Sequence, residues 1–273
     1  MRQINKKLIV SDFDGTLLNS KNEITQCVKN AINEYVDCGG IFAVCTGRML
    51  KSILPRVKDL GLKGLVVAYQ GSVIADIQSG RIIRKNSISS ENVAAVCGYA
   101  ERFGFTCNTY FEEILYSSTL PSDGLETYEK VTGIKAVNVN IPMSEFIIQK
   151  NLACHKITFL VDPIKREYLY GLLKKEFDEK FDVTCSAAVL VEISPKGDNK
   201  GVALKFIADY YNIDMDSTVA IGDNLNDLPM IKAASVGVAV GNAVEELKRE
   251  ADYVSVSNDE NAVAKIIEKF GFE

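Results

Sequence analysis

The sequence predicts an α/β protein, a doubly wound parallel sheet interrupted by an inserted α+β segment. Three observations lead there. Short apolar runs alternate with stretches of helical period in the first third of the chain, and the same rhythm resumes in the last third. Between about residues 85 and 193 the texture changes, and several strands follow one another without long helices. Alternating strand and helix implies a parallel sheet with right-handed crossovers.

In order along the chain, Lys7–Val10 reads as a buried strand. Thr25–Cys38 reads as a helix because Val28, Ala31, Ile32, Tyr35 and Val36 fall on one stripe. Gly39-Gly40 ends it; Ile41–Cys45 is a second strand, Met49–Leu60 a second helix and Leu65–Ala68 a third strand. Val73–Ile77 and Arg81–Arg84 flank Gln78-Ser79-Gly80 as a hairpin. In the insertion, strands are expected at Thr106–Tyr110, Leu115–Ser118, Lys135–Val139 and Lys156–Val161. Two helices, near Glu91–Phe103 and Ile164–Phe181, would cover one face. A helix from about Gly201 to Tyr211 then leads to a strand at Thr218–Ile221 and a helix after Asn226. Strands at Val236–Val240 and Tyr253–Val256, a helix around Val244–Glu250 and a last helix complete a Rossmann-like core. The expected division is a core of residues 1–84 and 194–273 around an inserted domain of residues 85–193.

Composition narrows the function. Hydrophobic residues make up 47% of the 273 residues and charged residues 25%, the profile of a soluble globular protein. A net charge of −5 with scattered Lys and Arg argues against a nucleic-acid partner. The apolar run Leu8-Ile9-Val10 is too short for a signal-peptide core, and nothing elsewhere approaches a membrane-spanning length. Seven dispersed cysteines without a C-x-x-C pair suit a reducing cytoplasm and no disulfide framework. The single histidine, His155, opens an apolar strand and reads as structural. One His makes a His-rich zinc site unlikely, and no G-x-S-x-G elbow accompanies it for a Ser-His-Asp site.

Four motifs carry the chemistry. Asp12-Phe13-Asp14-Gly15-Thr16 sits just past the first strand, where ligands of open α/β sheets bind. Residues i and i+2 of extended chain project to one side, so Asp12 and Asp14 can converge, and Gly15 permits the turn out of the sheet. Taken alone, the motif fits equally well a turn whose Asp side chains cap local backbone. Thr46-Gly47-Arg48 ends the second strand, where a hydroxyl and free N–H groups suit an anion; by itself Thr46 reads as a helix N-cap. Lys200 opens a helix, where the dipole disfavours a cation, so function rather than local stability has to account for it. Gly222-Asp223-Asn224-Leu225-Asn226-Asp227 sets four polar side chains in five positions at a strand end. An EF-hand fails there, because Leu225 and Leu228 fall where a ligand and a glycine belong. A hard cation held by Asp12 and Asp223 fits better.

The set D-x-D-G-T, T-G-R, lysine and G-D-x-x-N-D, in this order, resembles the haloacid dehalogenase superfamily of phosphotransferases. The insertion between Thr46-Gly47-Arg48 and Lys200 resembles that of the Cof-type subclass IIB, whose α/β cap occupies this interval. The resemblance spans essentially the whole chain. It implies a phosphatase acting on a small phosphorylated metabolite, such as a sugar phosphate or a phosphorylated cofactor, with Mg²⁺. Asp12 would be the nucleophile and Asp14 the acid and base. Asp12, the Asp14 carbonyl and Asp223 would hold the metal; Asp227 would orient the metal shell or ligate through water. Thr46 and Lys200 would bind phosphoryl oxygens beside Gly47, Asn226 would help orient the site, and Arg48 would reach the cap or substrate or brace its loop. One position departs: Gln70-Gly71 stands where the subclass often carries Asn-Gly, which puts in question any polar contact made there. The alternatives are a sugar phosphomutase, with the same nucleophile, and a non-catalytic phosphometabolite-binding protein. The sequence leaves the oligomeric state open.

Overall fold

The structure, a computed structural model, describes residues 2–118 and 124–273. β1 (Leu8–Ser11) is buried along its whole length, as a parallel strand covered on both faces must be. It is followed by α1 (Gln26–Asp37), β2 (Ile41–Cys45), α2 (Leu50–Asp59), β3 (Leu65–Ala68) and the hairpin of β4 (Val73–Asp76) and β5 (Ile82–Lys85). Next come α3 (Ser90–Glu101), β6 (Asn108–Phe111), β7 (Ile114–Ser117), α4 (Leu125–Thr132), β8 (Ala136–Asn138) and α5 (Met143–Lys150). The segment continues with β9 (Ile157–Leu160), α6 (Pro163–Phe177), β10 (Phe181–Ala187) and β11 (Leu190–Pro195). The chain closes with α7 (Lys200–Tyr210), β12 (Thr218–Gly222), α8 (Leu228–Ala233), β13 (Val236–Ala239), α9 (Glu245–Glu250), β14 (Tyr253–Val254) and α10 (Ala262–Ile266).

An eight-stranded sheet runs β14-β13-β12-β1-β2-β3-β4-β5. It is parallel from β14 to β3 and antiparallel across the terminal hairpin. From β1 the chain moves to β2 on one side, and much later β12 arrives on the other. The strand order therefore reverses at β1, and the crossovers diverge above its carboxyl end, where open α/β sheets leave a crevice. A second, six-stranded sheet runs β10-β11-β9-β6-β7-β8. It has its own apolar core, with Val93, Cys97, Ile147, Phe159, Leu169 and Leu173 fully buried.

The doubly wound core and mixed second sheet agree with the fold class expected from sequence. Two helix expectations need correction. The helix predicted over Ile164–Phe181 stops at Phe177, and Phe181 instead begins β10, pairing with Pro195 while Val183 pairs with Ile193. The alternation Phe181-x-Val183 has strand period, and pairing with β11 wins over continuation of the helix. Among the described residues, the expected pair of helices in this region is four, with α4 and α5 in addition to the two expected. Each is eight residues long, about two turns, too short for periodicity to declare it. All seven cysteines are free thiols. Among the described residues, no helix is long and apolar enough to cross a membrane.

Candidate active site

The carboxyl ends of β1, β2 and β12 and the first turn of α7 converge on one point. Asp12 directly follows β1, and its N–H donates to the Ile221 carbonyl of β12 at 2.8 Å, which fixes the loop to its neighbour strand. Gly15 turns the chain out at φ +78°, and a Cβ there would lie 2.6 Å from an Asp223 carboxylate oxygen. No other residue tolerates both that backbone and that approach. In the same turn, Thr16 donates its hydroxyl to Asp223 Oδ1 of the facing loop at 3.1 Å. Asn199 caps α7 by accepting from the N–H groups of Gly201 and Val202, which sets Lys200 in the first helical turn.

Lys200 bridges two carboxylates. Its Nζ donates to Asp12 Oδ1 and to Asp227 Oδ1, each at 2.5 Å, and Lys200 and Asp227 are fully buried. The other oxygen of Asp227 accepts from the backbone N–H of Asp223 at 2.9 Å and of Asn224 at 3.1 Å, which shapes the loop after β12. Burial opposes the charge on Lys200, but Asp12 and Asp227 outweigh it and hold the ammonium above its usual range. Burial raises Asp12 well above the usual carboxylate range, with Lys200 pulling the other way and Asp227 and Asp223 adding to the rise. Asp223 is pushed up to about 6, first by burial and then by Asp227. Burial first, and the neighbouring carboxylates after it, thus favour the protonated forms of Asp12 and Asp223.

Ligand atoms of Asp12, Asp223 and Asp227 lie within 4.8 Å of one another, close enough to share one ion. An all-oxygen donor set short of a countercharge fits a hard divalent cation. Among the described residues, these three are where the chain could hold one. The Asp14 carboxylate is not in the group. Instead, Arg48 Nε and Nη2 donate to its two oxygens, each at 2.7 Å. Thr46 is buried, its hydroxyl accepting from the Arg48 N–H at 3.2 Å. Asn226 donates to Gln70 Oε1 at 3.1 Å, while its own buried Oδ1 has no hydrogen-bond partner among the described residues. His155 contacts the Asn86 carbonyl at 2.5 Å and takes no part in the cluster.

Above these residues lies a cavity of about 1030 Å³ between the two sheets. Asp12, Asp14, Thr46, Arg48, Asp223 and Asn226 form its floor, and side chains of the insertion, including Tyr110, Tyr128, Lys156, Tyr168 and Glu192, complete it. Of the site residues expected from the sequence, Asp12, Asp14, Thr46, Gly47, Arg48, Asp223 and Asn226 line this space, and Lys200 and Asp227 do not. Sequence reasoning missed Lys156 and Glu192. Both are charged residues beside apolar runs, Lys156 directly before β9 and Glu192 within β11, and that pattern was the available signal.

A model of the haloacid dehalogenase-like hydrolases matches residues 9–267. The chain belongs to that family, and the Cof-type likeness of its motifs and insertion stands. It is 31% identical to the 5-amino-6-(5-phospho-D-ribitylamino)uracil phosphatase YwtE of Bacillus subtilis, covering 96% of this chain and 97% of that one. Its structure is similar to that of a haloacid dehalogenase-like hydrolase from B. subtilis, with a TM-score of 0.86, 28% identity and coverage of 96% and 99%. It also shares the fold of the subclass IIB sugar phosphatase BT4131, with a TM-score of 0.82, 22% identity and coverage of 97% and 98%. The fold, the cluster and the named relatives together define a phosphatase.

Proposed function

We propose that the chain is a Mg²⁺-dependent phosphomonoester hydrolase that works through an aspartyl-phosphate on Asp12. The observation that carries this reading is the buried Lys200, which bridges Asp227 to Asp12, the latter on the floor of a cavity open to a ligand. A lysine held at an aspartate by a second buried carboxylate is placed to meet charge that develops on a phosphoryl group. Mg²⁺ would be held by Asp12, Asp223 and the Asp14 carbonyl, with Asp227 orienting the loop. When bound, the cation offsets the mutual repulsion of carboxylates and phosphate.

An Asp12 oxygen attacks phosphorus, and the bond from phosphorus to the leaving oxygen breaks as Asp14 gives that oxygen a proton. Water then attacks the phosphorus of the acyl-phosphate, Asp14 takes a proton back, and phosphate leaves with Asp12 restored. Lys200 and Thr46 bind the phosphoryl oxygens through both steps. Residues 85–193 act as a cap that closes the cavity and excludes bulk water, a role supported by its contribution to the cavity wall. The site volume, about 1030 Å³, favours a substrate larger than a bare triose phosphate. Together with the activity named for the B. subtilis relative, it supports a phosphorylated sugar or polyol, free or carrying a ring. Seven unpaired cysteines suit the reducing cytoplasm as its place of work.

The test is turnover of p-nitrophenyl phosphate with Mg²⁺, before and after exhaustive chelation, followed by a panel of phosphorylated metabolites. Metal-restorable release of phosphate supports the reading, and full activity after chelation sinks the metal assignment. Transfer of phosphoryl between sugar positions without release would make the chain a mutase.

A further inference from the structure

The contacts of Gln70 give it a task. It sits in the turn after β3 with φ +60° and ψ 16°, left-handed backbone that a glutamine adopts only under constraint. Two backbone bonds impose that constraint: Gln70 N–H donates to the Thr46 carbonyl at 3.0 Å, and Tyr69 N–H to the Arg48 carbonyl at 2.9 Å. The turn is thus bonded on both sides of Gly47. The Gln70 side chain then lies against Gly47 so closely that a Cβ there would fall 2.5 Å from Gln70 Nε2.

The amide faces two ways. Its Nε2 donates to Glu192 Oε2 of β11 at 3.0 Å, and its Oε1 accepts from Asn226 Nδ2 at 3.1 Å. Glu192 Oε1 accepts from Lys156 Nζ at 2.6 Å, and the same ammonium donates to the Gly47 carbonyl at 2.7 Å. Lys156, Glu192 and Gln70 are all buried. Burial opposes the charge on Lys156, but Glu192 at 2.6 Å outweighs it and holds the ammonium's pKa above the ordinary value. Lys156 precedes β9 and Glu192 lies on β11, strands that pair directly, so the ion pair belongs to the insertion whatever its position. Two bonds of this group cross to the core: Gln70 to Glu192, and Lys156 to Gly47. Both end at the phosphate-binding loop or at the residue bonded to it.

We propose that Gln70 is a positioning residue that senses the docked insertion through Glu192 and passes that state to Thr46-Gly47-Arg48 and to Asn226. When the insertion is docked, the Gln70 amide is held at both ends, and the loops after β2 and β12 are pinned to each other. When it swings away, Glu192 and Lys156 leave together as a compensated pair, and the amide and the Gly47 carbonyl lose partners. The extra methylene of Gln over Asn supplies reach, allowing one side chain to touch Glu192 while remaining bonded to Asn226. This inference rests on the phosphatase reading only for its consequence for turnover, not for the coupling itself.

The test uses the full chain and four proteins: parent, Gln70→Glu, Glu192→Gln, and the double exchange Gln70→Glu with Glu192→Gln. The double exchange reverses the direction of the amide–carboxylate bond and leaves Lys156 and Asn226 with acceptors. Gln70→Glu alone sets two carboxylates against each other and should lower kcat for p-nitrophenyl phosphate by about tenfold or more, with a smaller change in KM. The double exchange should recover most of that loss. Amide hydrogen exchange gives a readout that needs no activity. Residues 46–48 and 224–226 should exchange faster in Gln70→Glu and return toward parent rates in the double exchange, while β1 and β12 keep parent protection. Parent exchange rates at those loops in Gln70→Glu, or a double exchange no better than the worse single variant, would overturn the proposal. A parent with no turnover but with the expected exchange pattern would refute the phosphatase reading and leave the coupling intact.

Discussion

Arg48 grips both carboxylate oxygens of Asp14 at 2.7 Å, so the residue assigned to move protons is already engaged by a forked cation. The Asp14 side chain remains 43% exposed, whereas the Arg48 side chain is 5% exposed, so the arginine is the fixed partner and the aspartate the movable one. An acid must present a protonated oxygen to the leaving group, and here both oxygens accept from Arg48. The proposed mechanism therefore requires one of the two bonds to yield when substrate binds while the other keeps Asp14 aimed.

Arg48→Lys keeps the charge but cannot span both oxygens. Asp14 should then be poorly aimed, and kcat for an alkyl phosphate should fall by about tenfold to a hundredfold. The first step with p-nitrophenyl phosphate, whose leaving group needs no proton, should change much less. Stopped-flow comparison of the two substrates checks this. Equal losses for both would mean that Arg48 serves phosphate binding alone.

Asp227 is fully buried and serves three donors: Lys200 and the N–H groups of Asp223 and Asn224. Asp227→Ala leaves those N–H groups unpaired and Lys200 with Asp12 only. Urea unfolding in excess chelator should show a loss of about 3 kcal/mol, the lower end for breaking a buried pair, because one carboxylate remains. Asp227→Asn keeps an acceptor for the loop N–H groups and should lose less. Similar losses in both variants would assign the stability to the charge and none of it to the loop.

Asp223 gives a pH dependence with a definite sign. Burial lifts its pKa to about 6 in the folded, metal-free protein, above its ordinary value of 3.8. Between those values the folded state holds a proton that the unfolded state has lost. Its contribution to stability is therefore fully present below about pH 4 and declines as pH rises to about 6. A divalent cation must displace the same proton, so its apparent affinity should weaken by up to about tenfold for each unit below pH 6. Calorimetric titration with Mg²⁺ from pH 5 to 7.5 measures this. Affinity that does not change over that range would remove Asp223 from the metal shell.

Much of this site was legible because its chemistry sits at strand ends, and buried parallel strands announce themselves as apolar runs. Asp12, Thr46 and Asp223 each follow such a run directly, so finding β1, β2 and β12 located the site. Lys200 stood out because a lysine in the first helical turn opposes the dipole. Asp227 was harder to assign, because its sequence position does not disclose that its oxygens are taken up by Lys200 and two backbone N–H groups. The cavity wall was the least visible. Lys156 and Glu192 lie 36 positions apart and meet only because β9 and β11 pair. Gln70 reads as a conservative exchange until its distances to Glu192 and Asn226 are known.

The central claim is that phosphoryl passes through Asp12 with Asp14 serving both steps, and Asp14→Asn tests it most directly. With p-nitrophenyl phosphate the first step needs little acid catalysis, while hydrolysis of the acyl-phosphate still needs a base for its water. The variant should release a burst of p-nitrophenol approaching one equivalent of sites, followed by a slow steady rate. Intact mass of the quenched protein should show one added phosphoryl group, absent when Asp12 is also changed to Asn. Turnover of alkyl and aryl phosphates by Asp14→Asn at the parent rate, with no adduct on the protein, would contradict the account.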